Sequence, residues 1–208
     1  LGVSWRTLGT AFKPYPACHF NHAFADCALA LKDKHDFSIK DIDSITALIH
    51  ADQIPIVCEP VCEKLHPRNH YDAQFSVPYI IAATLVRGGF TLAELEPEAL
   101  EDPDIRALSS RIRYTEDPDS AYPNYYSGAI AIKMRDGRLL EHRETTNRGS
   151  DANPLSEADI FKKFQNNAAI ALKPTEIARL KDAVWHLDTA PNLTELTQAL
   201  TSVKNAGE

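Results

Sequence analysis

Apolar positions repeat with two different periods along the first part of the chain. They follow a spacing of three and four after Asn21 and alternate singly in "DSITALIHA", whereas the segment from Ser76 to Val86 is almost wholly apolar. The first spacing predicts one buried face of a helix, and single alternation predicts a half-buried strand. We therefore expect a helix from Asn21 into "KDKHD", a strand after it, and a largely apolar helix capped by Ser76 that stops at Gly88 and Gly89.

The clearest local signal is a β-hairpin in "GAIAIKMRDGRLLEHRE". Ile130, Ile132 and Met134 alternate before the dipeptide Asp136-Gly137. Because Asp and Gly tolerate positive φ, the dipeptide predicts a two-residue turn. Together with the earlier strand, the hairpin predicts a small sheet.

Capping residues predict two more helix starts before the pattern changes. Thr91 and Glu94 have the spacing of a capping box, and Asp102 precedes Pro103 at the start of "DPDIRALSSRI". Beyond "SDANPLSEADIFKKFQNNAAIAL" the spacing is helical throughout. The fold class is therefore α+β: residues 1–150 form a small sheet with a β-hairpin and helices, and residues 151–208 form an all-helical C-terminal tail.

Composition excludes several classes of protein. The 208 residues are 44% hydrophobic and carry a net charge of −7. No apolar run is long enough to span a bilayer, so we expect a globular chain without a membrane partner. A negative net charge also argues against nucleic acid, whereas an anionic small molecule fits a pocket in which basic residues gather.

Cysteine usage predicts a reducing compartment. Cys18, Cys27, Cys58 and Cys62 occur without a signal peptide, so we expect reduced thiols and a cytoplasmic location. Cys58, Cys62 and His66 are spaced by four, but Pro60 interrupts the helix that would align them. No metal site is predicted, although a metal-binding module using these three residues is an alternative.

The stretch "FKPYPACHFNHAFADCALAL" places titratable side chains directly before a helix. Lys13, Cys18, His19 and His22 lie at or near the helix N-terminus, where backbone N–H groups and a lysine could hold an anion. The dipole there disfavours a protonated His22, which would keep it a neutral base or a hydrogen-bond donor. A merely polar surface loop is the alternative.

Residues around the second helix form another candidate group. Tyr79 lies in its first turn, where a phenol needs a polar partner or a ligand. Arg68 and Arg87 flank the helix, and a guanidinium suits carboxylate recognition. Tyr79 could instead pack by its ring, and the arginines could be solvated. The chain has no Gly-rich phosphate loop, G-x-S-x-G or H-E-x-x-H motif.

Four segments in order resemble the MmgE/PrpD family: "FKPYPACHFNHAFADCAL", "DAQFSVPYIIAATLVRGGFTLAEL", "DPDIRALSSRI" and "NPLSEADIFKKFQNNAA". The family includes 2-methylcitrate dehydratase, cis-aconitate decarboxylase and iminodisuccinate epimerase. Its members are longer, with a large helical domain and an inserted α+β lid. The resemblance implies that this chain is the lid plus helices that pack on an N-terminal helical domain outside the sequence, and that the enzyme is a homodimer.

The resemblance also implies roles for residues. Lys13 of "FKPYP" matches the active-site lysine, His22 of "FNH" the histidine after it, and Tyr79 of "SVPY" a tyrosine of the same cleft. These three are the expected catalytic residues, with Arg68, Cys18 and His19 binding substrate. Cys18 stands where a decarboxylating relative has histidine, which favours dehydration.

The expected function is therefore that of a lyase on small polycarboxylates. A 2-methylcitrate dehydratase of propionate metabolism is the first hypothesis, with no metal and no cofactor. A decarboxylase or an epimerase of the same family is the alternative. A third hypothesis is a non-catalytic lid or assembly module, which would expose the apolar faces of its C-terminal helices.

Overall fold

The structure is a computed structural model that describes residues 2–201, apart from the side chain of Leu8. The chain divides into two compact units, Leu1–Leu155 and Ser156–Glu208. We call them the α+β unit and the helical unit. No helix within residues 2–201 has the length and apolar character needed to cross a membrane.

The α+β unit contains seven α-helices, four strands and short 3₁₀ helices among the residues described. In chain order the elements are α1 (His22–Lys34), β1 (Ile42–Ile49), α2 (Ile54–Val57), α3 (Val61–Leu65), α4 (His70–Gln74), α5 (Val77–Arg87), α6 (Pro97–Leu100), α7 (Pro103–Ser109), β2 (Ile112–Glu116), β3 (Gly128–Met134) and β4 (Leu139–Glu144). This confirms the predicted α+β class with a small sheet.

The sheet has the strand order β2-β1-β3-β4 and is mixed. β1 pairs with β2 in parallel, whereas the β1–β3 and β3–β4 pairs are antiparallel. β2 was not predicted, because in the short segment "IRYTE" only two residues, Ile112 and Tyr114, alternate toward the core. The predicted helix over "DPDIRALSSRI" ends at Ser109, and Ile112 belongs to the strand.

Both long predicted helices are present, but one cap differs from the expectation. Ser76 caps α5 by accepting a hydrogen bond from the Tyr79 N–H at 3.0 Å, and Gly88 ends the helix with φ of +80°. Asn21 occupies the N-cap position of α1, yet its side chain makes no cap. Its amide instead donates to the carbonyl of Gln74 at 3.0 Å, which joins α1 to α4.

The hairpin is confirmed, but its turn is longer than predicted. The N–H of Met134 donates to the carbonyl of Arg138, and the N–H of Gly137 donates to the carbonyl of Met134. Met134 and Arg138 therefore close the turn, with three residues, 135–137, between them. Gly137 has φ of +91°, whereas Asp136 does not have positive φ. This arrangement is typical of a three-residue loop with one left-handed glycine.

The core of the α+β unit lies where α1 packs on β3, β4 and α5. Phe24 and Leu31 of α1 are fully buried there, as are Ile80 and Leu85 of α5. A Cβ at Gly128 would lie 2.9 Å from the Phe24 ring, so this position of β3 has no room for a side chain. Close packing of this kind fixes the first turn of α1 against the sheet.

The helical unit contains α8 (Glu157–Ala168), α9 (Pro174–Trp185) and α10 (Thr194–Thr201), which confirms the predicted helical C-terminal end. Ser156 and Asp159 form a capping box at the start of α8. Leu180 and Ala199 are buried, and the rings of Phe161 and Trp185 lie 5.0 Å apart. Large apolar side chains are nevertheless exposed, namely Ile160, Ile170, Val184, Trp185, Leu187, Leu193 and Leu200.

Candidate active site

Two predicted catalytic residues converge on one backbone carbonyl. The Lys13 ammonium donates to the carbonyl oxygen of Ala17 at 3.0 Å, and Nε2 of His22 lies 3.3 Å from the same oxygen. A carbonyl can only accept, so the proton of a neutral His22 ring is on Nε2. The loop from Lys13 to Ala17 therefore bends back to bring the lysine and the histidine together.

A second carbonyl, that of Gln74, holds the turn between Cys18 and α1. It accepts the backbone N–H of Cys18 at 2.9 Å and the side-chain amide of Asn21 at 3.0 Å. Residues His19 to Asn21 form a 3₁₀ turn between these two anchors. The end of α4 therefore fixes both sides of the turn that carries His19.

Aromatic rings surround the two histidines. The His19 and His22 rings have centroids 4.7 Å apart, and Tyr15 approaches His22 edge-on at 5.4 Å. Tyr126 contacts His19 at 4.9 Å. His22 is fully buried and His19 is half-buried. Burial, and secondly the positive charge of Lys13, lowers the pKa of His19, so this ring is neutral near pH 7.

Cys18 is a half-buried thiol at the N-cap of the 3₁₀ turn. Burial raises the pKa of its thiol, an effect that a hydrogen bond from the Phe20 backbone and, after it, the charges of Lys13 and Lys64 partly offset. A raised pKa keeps the sulfur protonated, and a thiol is a weak nucleophile. The raised pKa therefore disfavours covalent chemistry at Cys18, and its contact with substrate stays a prediction.

A buried ionic cluster that the sequence did not reveal lies beside His22. The Tyr15 hydroxyl donates to Oδ1 of Asp26 at 2.5 Å, and Arg148 donates to the same Oδ1 at 3.1 Å. Burial raises the pKa of Asp26, while Arg148 opposes that rise. Asp26 is one turn after His22 in α1, so the cluster braces the histidine through Tyr15.

The segment 146–150 carries Asn147 and Arg148, which belong to the site although they are far from Lys13 and His22 in sequence. The Phe12 N–H donates to the carbonyl of Gly149 at 2.8 Å, which places this segment beside the start of the lysine loop. Gly149 has φ of +90°, and a Cβ there would lie 1.9 Å from the Phe12 carbonyl oxygen. Only glycine permits this approach. A polar "TNRG" after the hairpin was the available signal for Asn147 and Arg148.

Tyr79 is not brought into this group. Its hydroxyl donates to the carbonyl of Glu94 at 2.6 Å, and its ring contacts Phe90. The side chain is only 1% exposed, and burial raises its pKa far above the ordinary value of a phenol. In this chain Tyr79 joins α5 to the capping-box turn that follows it.

Arg68 also lies apart from the Lys13 group. Its guanidinium donates to Asp72 at 2.9 Å and lies 3.5 Å from Glu63, and its side chain is mostly exposed. It lines an open cleft of about 490 Å³ together with Gln74 and Leu95. Two carboxylates already neutralise its charge, so the cleft carries no uncompensated cation from this residue.

The structure does not assemble the alternative metal module. Within residues 2–201, no three His, Cys, Asp or Glu side chains form a group that could hold a metal ion. Cys58 is buried, which raises the pKa of its thiol to about 12, whereas Cys62 is exposed. Nε2 of His66 lies 3.3 Å from the Ser110 hydroxyl. The spacing of four therefore does not align these three side chains.

Sequence comparison decides the family. The sequence model of the MmgE/PrpD C-terminal domain matches residues 15–189, which is most of the chain. The chain belongs to the MmgE/PrpD family. The segments with Cys18, His19, His22 and Tyr79 all lie inside the matched region, and Lys13 lies two positions before its start.

Similar proteins include cis-aconitate decarboxylases and a 2-methylcitrate dehydratase. The chain is 27% identical over 197 residues to cis-aconitate decarboxylase of Mus musculus, and 26% identical over 196 residues to that of Homo sapiens. Each match covers 91% of this chain but 39% of the relative. A 2-methylcitrate dehydratase of Cupriavidus necator is 28% identical over 166 residues, covering 72% of this chain and 31% of the dehydratase.

Proposed function

We propose that this chain is part of a lyase that acts on small polycarboxylates. The observation that carries the proposal is the convergence of Lys13 and His22 on the Ala17 carbonyl, with His19 beside them. A lysine charge next to a neutral His19 ring and the buried His22 ring suits a carboxylate substrate whose neighbouring carbon loses a proton. Family membership supports the same class of reaction.

In this proposal Lys13 binds a substrate carboxylate, and His19 and Cys18 contact the substrate beside it. His22 takes the proton. Its proton on Nε2 faces the Ala17 carbonyl, so the lone pair of the neutral ring is on Nδ1, as a general base requires. The C–H and C–O bonds break as the carbon–carbon double bond forms, and the proton that His22 has taken leaves with the β-hydroxide as water, so the reaction needs no electron acceptor.

The structure favours His22 over Tyr79 for proton transfer. The Tyr79 hydroxyl already donates a hydrogen bond to the backbone carbonyl of Glu94. Its raised pKa also disfavours the phenolate that could act as a base. Arg68 is also a poor candidate for binding the substrate carboxylate, because Asp72 and Glu63 neutralise the charge of its guanidinium. We therefore expect His22→Ala to lower turnover more than Tyr79→Phe does.

The first proposed reaction is dehydration of 2-methylcitrate, since Cys18 departs from the histidine expected of a decarboxylase. The second is decarboxylation of cis-aconitate. It is favoured by the coverage of the comparisons, because the two mammalian decarboxylases match 91% of the chain and the dehydratase 72%.

The test is turnover of 2-methylcitrate, cis-aconitate and iminodisuccinate, with products identified by mass. It compares this chain with a form extended at its N-terminus to the length of the relatives, of which this chain spans 39% or less. We expect turnover in the extended form only. Absence of turnover of all three compounds by both forms would overturn the proposal.

A second candidate function, a non-catalytic assembly module, is favoured by the exposed apolar side chains of the helical unit. Val184, Trp185 and Leu193 each expose more than half of their surface. We propose that these helices pack on a helical domain outside this sequence. Sedimentation velocity of this chain should then show self-association that increases with concentration, and a monodisperse monomer at all concentrations would contradict it.

A further inference from the structure

Asn147 connects His19 to the loop that precedes β3. The Asn147 side chain is buried, and its Oδ1 accepts the backbone N–H of Tyr126 at 3.0 Å. Its Nδ2 lies 3.1 Å from Nε2 of His19. The ring of Tyr126 also contacts the His19 ring at 4.9 Å. The same loop therefore holds His19 by a ring contact and, through Asn147, by a hydrogen bond.

The backbone determines the direction of these hydrogen bonds. A backbone N–H can only donate, so the Asn147 atom that faces Tyr126 is the carbonyl oxygen. The amide nitrogen then faces His19, and an amide NH₂ can only donate. Nε2 of His19 is therefore an acceptor without a proton, and the neutral ring carries its proton on Nδ1.

We propose that Asn147 is a positioning residue that holds His19 as the neutral Nδ1–H tautomer, so that His19 offers a hydrogen-bond donor to the substrate. The tautomer follows from contacts within the chain. The hydrogen bond from His19 to the substrate rests on the proposed function. In that function the two histidines have complementary roles: His19 donates a hydrogen bond from Nδ1, whereas His22 has its lone pair on Nδ1.

The groups that face His19 support a neutral ring. They are the charge of Lys13 from the preceding loop, the His22 ring from α1, the Tyr126 ring, and Asn147 from the segment after β4. A positive neighbour and partial burial both oppose a second proton on the ring. The Asn147 amide adds a donor at Nε2, where a second proton would have to bind.

A neutral imidazole donor suits a substrate that gains negative charge on an oxygen. It stabilises that oxygen with a directed N–H, and it retains its proton because a neutral imidazole is a very weak acid. Lys13 then supplies a positive charge near the substrate oxygen, and His19 donates a directed hydrogen bond to it. Asn147 would in this way select substrates that place an acceptor oxygen at Nδ1.

The experiment is a long-range ¹H–¹⁵N spectrum of the full chain labelled with ¹⁵N-histidine, recorded from pH 5 to pH 8. His19 is assigned as the signal that is lost in His19→Gln. In the wild-type protein at pH 7 we expect a protonated Nδ1 and an unprotonated Nε2. A protonated Nε2, or a doubly protonated ring, would overturn the proposal whatever the activity is.

Asn147→Asp provides the matched perturbation. A carboxylate can only accept, so the His19 proton should move to Nε2 and the pKa of His19 should rise by about one unit or more. Asn167→Asp, which adds the same charge to an exposed position of the helical unit, should leave the spectrum unchanged. An unchanged tautomer and pKa in folded Asn147→Asp would overturn the proposal, and if that variant does not fold, the wild-type spectrum decides alone.

Activity measurements distinguish the proposed lyase function from the proposed tautomer of His19. In the extended protein Asn147→Asp should shift the pH profile of kcat, because the protonation of His19 has changed. Absence of turnover in the wild type would count against the proposed function alone, since the spectrum reads the tautomer without substrate. A changed tautomer with an unchanged pH profile would overturn the role of His19 toward the substrate.

Discussion

The α+β unit and the helical unit distribute their apolar side chains in opposite ways. In the α+β unit, Phe24, Ile45 and Leu85 are fully buried around α1 and α5. In the helical unit, Val184 and Trp185 expose about half of their surface although α9 has a clear apolar face. Helical spacing in a sequence therefore predicts an element, whereas burial depends on what that element packs against.

The two units also differ in their ionic contacts. Asp117 and Arg143 form a bidentate pair in the α+β unit, in which the carboxylate is fully buried. Arg179 and Glu195 form a single contact at 3.2 Å in the helical unit, and both side chains are largely exposed. All the side chains of the proposed site belong to the unit with the buried core and the buried ion pair. Close packing holds the buried His22, and hydrogen bonds to the Ala17 carbonyl and to Asn147 place Lys13 and His19 beside it.

The largest expected effect is a core truncation that tests the difference in burial. Phe24→Ala removes a fully buried ring and should lower the free energy of unfolding by about 3–5 kcal/mol, through lost burial and a cavity. Urea denaturation measures it. The matched change in the helical unit, Val184→Ala, should alter stability by about 0.5 kcal/mol or less, since that side chain is exposed. Equal losses would contradict the comparison.

The next effect tests the two ion pairs. Arg143→Gln leaves the buried carboxylate of Asp117 without its cation and should cost about 3 kcal/mol of unfolding free energy. Arg179→Gln should cost less than about 1 kcal/mol, because water screens that exposed pair. Thermal denaturation of both variants checks the pair of values. If Arg143→Gln were as mild as Arg179→Gln, the burial of Asp117 would have no energetic consequence.

A smaller effect tests whether tight packing continues to the last segment of the α+β unit. Gly149 and Gly137 have nearly equal φ, +90° and +91°, but only Gly149 lies against another backbone, that of Phe12. Both alanine variants should lose about 1 kcal/mol from strain, and Gly149→Ala should lose at least about 1 kcal/mol more from the clash. Chemical denaturation gives the difference between the two variants. Identical losses would show that the 146–150 segment moves away without cost.

The smallest effect is a pH dependence of stability from His19. The folded pKa of His19 is lowered, so its contribution is present above the unfolded value of about 6.5 and is lost as pH falls through the lower folded pKa. Wild-type protein should therefore lose more stability than His19→Gln between pH 7 and pH 5. The difference between the two proteins at pH 8 serves as the baseline. Parallel pH curves would contradict the burial of this ring.

Local signals predicted the elements well, because their causes are local. The Ser76 cap, the left-handed Gly88 and the alternation of β3 each depend on a few neighbouring residues. β2 was missed because it forms by pairing with β1, and two residues that alternate toward the core, Ile112 and Tyr114, are too few for a pattern. The hairpin turn was placed correctly, but its length depends on the pairing of Met134 with Arg138, which the dipeptide does not determine.

The site was only partly predictable for the same reason. Lys13, Cys18, His19 and His22 are close in sequence, and the fold brings them together as their spacing suggested. Asn147 and Arg148 reach the same place from more than 100 positions away, through a contact that Gly149 permits. The role of Tyr79 came from a family motif and that of Arg68 from its position beside α5. In this structure their polar groups bind the Glu94 carbonyl and the Asp72 carboxylate.

The most direct test of the account is the kcat of Lys13→Ala in the N-terminally extended protein, on the substrate that the wild type turns over. We expect a loss of at least roughly tenfold, about 1.4 kcal/mol in the activation free energy, with an unchanged melting temperature. Lys181→Ala, which removes an ammonium from the helical unit, should keep wild-type turnover. Wild-type kcat and KM in Lys13→Ala would contradict the assignment of the active site to this segment.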